Sequence, residues 1–144
     1  MKGLFISFEG VDGCGKSTQL RFLGEYLAEQ GHNLLFTREP GGCVIAEKIR
    51  GLLLDVENAE MDAKTEALLY AAARAQHVAQ VIRPALEAGK IVLCDRFVDS
   101  SLAYQGVGRG LGIQNIFDIN CFATGGIMPD KTFFLDYPPD LAFS

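Results

Sequence analysis

The chain is poor in several residue types. It has no tryptophan, five prolines and four cysteines, and it has fewer basic than acidic side chains, 13 against 18 in 144 residues. The resulting formal charge of -5 argues against broad binding to nucleic acid, because phosphates require a clustered basic surface. The cysteines, Cys14, Cys43, Cys94 and Cys121, have neither Cys-x-x-Cys nor metal-like spacing, which favours free thiols in a reducing cytosol.

Long apolar runs are also absent. No stretch approaches membrane-spanning length, and no basic and apolar signal segment leads the chain. We therefore expect a cytoplasmic protein that contacts neither a membrane nor nucleic acid. With 49% hydrophobic residues the chain can bury a core, and its length is that of one domain, so residues 1–144 are predicted to form a single domain.

Four short apolar runs predict buried strands, at residues 4–8, 34–37, 91–94 and 132–135. Helical patterns separate these runs, and the alternation predicts an α/β fold in which helices flank a parallel sheet. The first predicted helix ends at Gly31, and the others cover residues 44–54, 62–82, 99–105 and 113–123.

Two finer expectations concern these elements. In the second helix, Ile45, Ile49, Leu52 and Leu53 recur at helical spacing and are expected to face inward. Residues 106–112 are rich in glycine and are expected to form a flexible connection.

Residues 10–17 match the G-x-x-x-x-G-K-[ST] phosphate loop, and they join a predicted strand to a predicted helix, the context in which this pattern binds nucleotides. Unpaired backbone N–H groups and the helix dipole favour a phosphate there. Lys16 is expected to reach the outer phosphates and Ser17 to offer its hydroxyl to Mg²⁺. The alternative is a glycine-rich turn with a chance lysine. The phosphate-binding set comprises Gly10, Val11, Asp12, Gly13, Cys14, Gly15, Lys16, Ser17 and Thr18.

Asp12 is unusual inside this loop, because a carboxylate repels the phosphates that the loop attracts. It is expected to serve something else: a hydroxyl of a second substrate, an acceptor arginine or a metal-bound water. The alternative is an Asp that only tolerates the turn geometry.

Polar residues follow the second and third predicted strands as well. Asp95 and Arg96 end the third strand, at the sheet edge where ligands bind in open α/β folds. The carboxylate can bind the shell of Mg²⁺ and the guanidinium can fork onto a phosphate, although a surface ion pair is the alternative. Residues 38–42, Arg-Glu-Pro-Gly-Gly, follow the second strand as a mobile turn that contacts a polar substrate or is solvated.

Residues on the predicted helices add further polar and aromatic groups near this edge of the sheet. Arg50, eleven residues after Glu39 on the second helix, can point back towards the same cleft. Tyr70 and Arg74 are one turn apart, so they can stack on a base and bind its edge, or they are a core tyrosine and a surface arginine. Ser101, Tyr104 and Gln105 add hydroxyl and amide groups at helical spacing. These groups follow three strands of one sheet and are expected to converge on one site.

The order and spacing of these blocks resemble those of thymidylate kinases, nucleoside monophosphate kinases with the P-loop fold that phosphorylate dTMP. A phosphate loop alone is shared by many enzymes, but its combination with Arg-Glu-Pro-Gly-Gly and with Ala-Tyr-Gln-Gly at residues 103–106 is specific to the family. The matching blocks are residues 8–18, 37–42, 68–74, 95–110 and 129–136.

The resemblance implies transfer of the γ-phosphate of ATP to dTMP, with Mg²⁺, in dTTP biosynthesis by a homodimer of the bacterial type. Lys16 and the loop amides would hold the donor phosphates, and Ser17 and Asp95 would bind the metal and its waters. Asp12, Lys16 and Arg96 are the implied catalytic residues. The implied dTMP-binding residues are Asp12, Glu39, Pro40, Arg50, Tyr70, Arg74, Arg96, Ser101, Tyr104 and Gln105.

Within that set the resemblance implies separate roles. Asp12 would contact the deoxyribose hydroxyl, and Arg50 and Arg96 would bind the acceptor phosphate. Tyr70 would stack on thymine, where phenylalanine is usual. The base edge would be read by Arg74, Ser101 and Gln105, while Tyr104 crowds the position of a ribose hydroxyl.

The sequence of residues 136–144 predicts the start of another helix, with Pro139 in its first turn. Because the chain stops there, we expect a truncated domain. Compared with the family pattern, the chain lacks the C-terminal strand, the lid and the adenine loop. Three other hypotheses about function stay open: a related nucleoside or nucleoside monophosphate kinase, a GTPase-like switch, and a truncated homologue that binds nucleotide without turnover. The switch is disfavoured because no Asn-Lys-x-Asp motif occurs.

Overall fold

The computed structural model describes residues 2–136 and residue 138. Its centre is a sheet of four parallel strands in the order β2-β3-β1-β4. The strands are β1 (Leu4–Glu9), β2 (Leu34–Arg38), β3 (Ile91–Asp95) and β4 (Lys131–Phe134). Each predicted strand is confirmed to within one residue at either end, because a short apolar run between turn residues is a strong strand signal.

Six α-helices connect these strands. They are α1 (Lys16–Glu29), α2 (Val44–Leu54), α3 (Ala63–His77), α4 (Arg83–Glu87), α5 (Val98–Ser101) and α6 (Ile113–Thr124). The Asp62 side chain caps α3 by accepting a hydrogen bond from the Lys64 N–H. Wider π-helical turns continue α3 over Val78–Ile82 and α5 over Leu102–Gly108, and a short 3₁₀ turn covers Val56–Asn58.

The core lies on both faces of the two central strands. On one face Phe5 and Val92 pack with Phe97, whose ring meets that of Phe5 edge to face at 4.9 Å between centroids. On the other face Ile6 and Leu93 pack with residues of α1. Strands covered on both faces are apolar throughout, which explains the unbroken hydrophobic runs. Cys94 is fully buried in β3.

Two expectations about the helices are wrong in part, since Ile49 and Leu53 are half-buried. Ile45 and Leu52 are half exposed, and the fully buried side chain of α2 is Ala46. Periodicity identifies an apolar stripe but not the element that covers it, and α2 packs chiefly against α3 through small side chains. The flexible connection expected at 106–112 begins later, because helical turns continue to Gly108.

Two further points concern the predicted C-terminal helix and the length of the helices. The helix predicted around Pro139 lies outside the described residues. In the described part, no helix has both the length and the apolar character needed to cross a membrane.

The sheet topology decides where the polar residues meet. All four strands are parallel, so the segments that follow β1, β2 and β3 leave from the same edge. In the register of the sheet, Asp95 lies between Phe8 of β1 and Arg38 of β2. At the other side, β4 is the outermost described strand, and its four residues are all exposed.

Candidate active site

A cavity of about 600 Å³ opens at the carboxyl edge of the sheet. This volume lies in the range of small-molecule sites. Residues following each of β1, β2 and β3 line it, so the expected convergence is observed. The sequence-predicted residues that line the cavity are Asp12, Gly13, Gly15, Lys16, Ser17, Thr18, Glu39, Pro40, Arg50, Tyr70, Arg74, Asp95, Arg96, Ser101, Tyr104 and Gln105. Gly10, Val11 and Cys14 belong to the same loop but do not line the cavity.

The phosphate loop runs from the end of β1 into the first turn of α1. Gly15 caps the helix with φ of 95°, a conformation that disfavours residues with a Cβ. Lys16 is buried, and its Nζ donates to the carbonyl oxygens of Gly10 at 3.0 Å and Val11 at 3.1 Å. The ammonium therefore lies within its own loop, beside the unpaired N–H groups of the helix, and creates a positive centre for an anion.

Asp12 pairs with Arg96 across the cavity. Of the three partners considered for this carboxylate, the structure shows contact with the arginine. Arg96 is the only described residue other than glycine with positive φ, at 71°. Its guanidinium also lies over the ring of Tyr104, 5.4 Å from the centroid. Three predicted site residues thus form one cluster at the mouth of the cavity.

Arg74 forms the buried wall of the cavity. Its Nε donates to Glu39 Oε1 at 2.6 Å, and its NH1 donates to Ser101 Oγ at 3.0 Å and to Asn120 Oδ1 at 2.6 Å. Its NH2 donates to the carbonyl of Phe97 at 3.0 Å. Glu39 and Arg74 are each only 3% exposed, so the surface arginine considered from the sequence is wrong, and the ion pair is internal.

Tyr70 lies one helical turn before Arg74 and faces the same cavity. Burial raises the pKa of the Tyr70 phenol, and the nearby Glu66 carboxylate raises it further. Glu66 in turn accepts hydrogen bonds from Arg109, at 3.1 and 3.2 Å, and from Gln105 Nε2 at 3.4 Å. The segment after α5 is therefore tied to α3 beside the tyrosine.

The turn after β2 is held by side chains of α2. Arg50 NH1 donates to the carbonyl of Pro40 at 2.8 Å. Glu47 accepts from Arg38 at 2.8 Å and from the Gly42 N–H at 3.1 Å. The turn expected to be mobile is thus fastened at three points, and it presents Glu39 to the interior.

Asp95 and Ser17 suit a magnesium ion. The Asp95 Oδ1 atom is buried and has no hydrogen-bond partner among the described residues. The Ser17 hydroxyl lines the same cavity. No group of three or more His, Cys, Asp or Glu side chains in the described part of the chain could hold a metal by itself. Mg²⁺ bound with nucleotide phosphates typically needs only one or two protein oxygens, so these residues fit it.

Sequence reasoning missed several residues that shape the site. Glu9, the last residue of β1, accepts hydrogen bonds from the Phe97 N–H at 2.9 Å and from the Ser100 hydroxyl. His77 and Asn120 are buried partners of the Glu39 and Arg74 pair. The available signal was position: Glu9 directly precedes the phosphate loop, and His77 follows Arg74 by three residues on one helix face.

Comparison with known proteins identifies a family for the chain. The thymidylate kinase family model matches residues 8–144. A thymidylate kinase of Lactobacillus helveticus is 62% identical to the chain, over all of the chain and 68% of the relative. One of Bacillus licheniformis is 56% identical, over 97% of the chain and 66% of the relative. The chain thus spans about two thirds of the length of these curated relatives.

Structural comparison agrees with the sequence matches. The crystal structure of thymidylate kinase from Ehrlichia chaffeensis superposes with a TM-score of 0.88 at 40% identity, and the match covers 99% of this chain and 81% of that one. The resemblance and the α/β fold inferred from the sequence are therefore confirmed. This chain belongs to the thymidylate kinase family.

Proposed function

We propose that the chain transfers the γ-phosphate of ATP to dTMP, giving dTDP and ADP. In this reaction an oxygen of the dTMP phosphate bonds to the γ-phosphorus as the bond to the bridging oxygen of ADP breaks. Such a transfer needs alignment and charge neutralisation rather than a covalent intermediate on the protein. The family membership supports this reaction, as does a cavity that joins a phosphate loop to a second polar pocket.

The donor side consists of the phosphate loop. Lys16 and the backbone N–H groups at the start of α1 bind the donor phosphates, exchanging the internal carbonyl contacts of the lysine for phosphate oxygens. Ser17 and Asp95 would hold Mg²⁺, which supplies charge neutralisation at the phosphates. The orphaned Asp95 Oδ1 atom is the observation that supports this assignment.

The acceptor side shares this cavity with the phosphate loop. Arg50 and Arg96 provide positive charge for the dTMP phosphate, and a guanidinium can bind such a group with two hydrogen bonds. Tyr70 offers a ring for stacking on thymine, and Tyr104, over whose ring the Arg96 guanidinium lies, would face the sugar. Asp12 contacts Arg96 and would orient both the arginine and the deoxyribose hydroxyl.

Recognition of thymine is assigned to the buried wall. Thymine presents a carbonyl acceptor and an N–H donor on its edge, and Arg74 with Gln105 offers the complementary donor and amide oxygen. Both side chains are almost fully buried, and both line the cavity. Because buried polar groups require partners, this wall favours dTMP over a base with the opposite pattern, such as cytosine.

The assembly and location complete the proposal. We infer a homodimer, because apolar side chains of α3 and α6, including Leu68 and Phe122, are exposed by 55% and 91%. We infer a cytoplasmic location from the four free cysteines, which suit a reducing compartment.

One observation carries the proposal: the buried Arg74 with Gln105 shares a single cavity with Lys16. The first test is an assay of dTMP-dependent ADP formation from ATP and Mg²⁺, with the wild-type chain and Lys16→Ala. Wild-type turnover is expected, and Lys16→Ala is expected to lower kcat/KM by about 100-fold or more, since a charge that stabilises the transition state is removed. Equal activity of the two proteins would contradict the proposal.

A substrate panel separates this reaction from those of related kinases. Thymidine, dCMP and dTMP are compared at the same concentration. We expect dTMP to exceed each of the others by about 100-fold in kcat/KM, because the others lack either the phosphate or the matching base edge. A preference for thymidine would indicate a nucleoside kinase. Binding of dTMP without turnover would replace the proposal with a nucleotide-binding role.

A further inference from the structure

A fully buried histidine lies behind the acceptor side of the cavity. His77 ends α3 and has no exposed surface. Its Nδ1 is 2.7 Å from Glu39 Oε2, and its Nε2 is 2.6 Å from Thr37 Oγ1. The ring does not line the cavity, so it can act on a ligand only through these partners.

Glu39 connects this histidine to Arg74. One carboxylate oxygen faces His77 Nδ1, and the other accepts from Arg74 Nε at 2.6 Å. Arg74 and His77 are three residues apart on α3 and so lie on one helix face. The carboxylate therefore has two neighbouring anchors on one rigid element, and each anchor constrains one of its oxygens.

The arginine is nearly saturated by its internal partners. A guanidinium has five N–H groups, and four of those of Arg74 are used by Glu39, Ser101, Asn120 and the carbonyl of Phe97. Among the described residues, one NH2 hydrogen has no partner. The direction of this remaining donor depends on the plane of the guanidinium, and Glu39 holds that plane at Nε.

The turn after β2 is shaped around the same ring. A Cβ atom on Gly42 would lie 2.3 Å from His77 Nε2, and Gly42 has φ of 96°. The backbone of the turn therefore packs directly against the imidazole. Glycine is needed at this position both for the backbone conformation and for the close approach.

Charge balance indicates which nitrogen of the His77 ring carries a hydrogen. A carboxylate only accepts hydrogen bonds, so His77 Nδ1 carries the hydrogen that faces Glu39. Glu39 and Arg74 already neutralise each other, and a further buried positive charge would be uncompensated. The ring is then neutral, and Nε2 accepts the hydrogen of the Thr37 hydroxyl.

We propose that His77, as the neutral Nδ1–H tautomer, is a positioning residue that orients Glu39 and thereby aims the free N–H of Arg74 at the acceptor base. The inference rests on the proposed function for the identity of the acceptor. Its structural core, the orientation of Arg74 by His77 through Glu39, can be tested without turnover.

The kinetic test uses variants that keep or remove each contact. His77→Phe preserves the ring shape without polar atoms, His77→Asn retains an amide N–H near the position of Nδ1, and Thr37→Val removes only the hydroxyl. We expect His77→Phe to raise the KM for dTMP by about 10-fold or more while the KM for ATP changes by less than about 2-fold. His77→Asn is expected to restore most of the loss. Equal changes in both KM values, or no rescue by asparagine, would indicate packing alone and overturn the proposal.

The spectroscopic test is independent of catalysis. The chain has two histidines, and the other, His32, is exposed, so a His32→Gln variant assigns the ring signals. We expect nitrogen-15 NMR to show His77 protonated at Nδ1 and bare at Nε2, and the Arg74 Nε signal to shift in His77→Phe and less in Thr37→Val. The opposite tautomer, or an unmoved Arg74 signal, would overturn the proposal even if dTMP is not the substrate. Intact signals with no dTMP turnover would overturn only the proposed function. If His77→Phe does not fold, His77→Gln, whose amide lies away from the position of Nδ1, replaces it in both tests, and His77→Asn remains the rescue.

Discussion

Arg96 combines a functional side chain with an unfavourable backbone conformation. Its φ of 71° lies in the left-handed region, which costs a residue with a Cβ roughly 1–2 kcal/mol. The conformation turns the chain at the end of β3, where the Arg96 N–H donates to the carbonyl of Phe8 at 2.9 Å, and it points the guanidinium at Asp12. Strain of this kind persists where the surrounding structure fixes it, and it is frequent at active sites.

A pair of substitutions separates the strain from the side chain. Arg96→Ala and Arg96→Gly both remove the guanidinium, but only glycine relieves the backbone. We expect Arg96→Gly to have a free energy of unfolding about 1 kcal/mol higher than that of Arg96→Ala, as measured by urea denaturation. Both variants should lose dTMP phosphorylation to the same extent. A more stable alanine variant would show that the backbone is not strained.

Site residues that belong to a recognisable motif could be identified from the sequence. The buried residues that hold them in position could not. Lys16 and Asp95 stand where a loop pattern or a strand end marks them, and both line the cavity. His77 stands in an alanine-rich helix with no motif, and the contact that matters joins it to a residue 38 positions away. Local patterns carry no information about such distant pairings.

At the scale of elements, Glu9 joins β1 to the segment that follows β3. Its carboxylate accepts from the Phe97 N–H and the Ser100 hydroxyl, and so holds the beginning of α5 against the sheet. Burial raises the pKa of the Glu9 carboxyl above its ordinary 4.5, although these two hydrogen bonds oppose the rise. The connection between β1 and α5 therefore depends on the Glu9 carboxyl, and burial disfavours the ionised form of that group.

This cost predicts a pH-dependent difference in stability. A raised pKa means that the native state binds the Glu9 proton more tightly than the unfolded state, so the free energy of unfolding falls as pH rises through the interval above 4.5. Glu9→Gln can keep both hydrogen bonds without the charge. We expect its stability relative to wild type to increase as pH rises above about 4.5 and then to level off, as measured by urea denaturation.

The matched control for this experiment is Glu25→Gln. Glu25 lies on the exposed face of α1, in a surface pair with Arg21 at 3.9 Å. Surface pairs contribute little, so its difference from wild type should stay nearly constant with pH. A constant difference for Glu9→Gln as well would show that the buried carboxyl does not titrate differently on folding.

Element boundaries were predictable, whereas the packing of their faces was predicted only in part. The bounds of α2 match the prediction at both ends, yet its buried residue is Ala46 rather than the large apolar side chains. Hydrophobic periodicity shows where a helix is, but the neighbouring helix decides how much of the stripe it covers. The π-helical turns after α3 and α5 likewise depend on tertiary packing and leave no sequence signal.

At the scale of the whole molecule, exposed apolar side chains occur on several elements, among them α1, α2, α3 and α6. Leu68 on α3 lines an apolar pocket together with Leu111 and with Ile119 of α6. Phe22, on α1, is similarly exposed at 51% but lies on another helix. The proposed homodimer places the surface of α3 and α6 at the interface.

Two charge substitutions test this placement. Wild type is expected to sediment at twice the mass of one chain, and Leu68→Glu is expected to shift the equilibrium towards the monomer, because a carboxylate in a buried interface loses its hydration. Phe22→Glu should leave the distribution unchanged. A dimer broken by Phe22→Glu instead would move the interface to α1, and a monomeric wild type would contradict the dimer.

The outer side of β4, in the part of the chain that the structure describes, bears on how the chain behaves in concentrated solution. Among the residues that the structure describes, no strand pairs with its outer side, and Phe133 and Phe134 are exposed by 44% and 68%. A bare apolar edge is a template for intermolecular strand pairing, which charge repulsion between molecules opposes. The net charge of -5 at neutral pH vanishes near the isoelectric point of 5.0. Mildly acidic buffers therefore remove the colloidal barrier to precipitation, and purification above neutral pH preserves it.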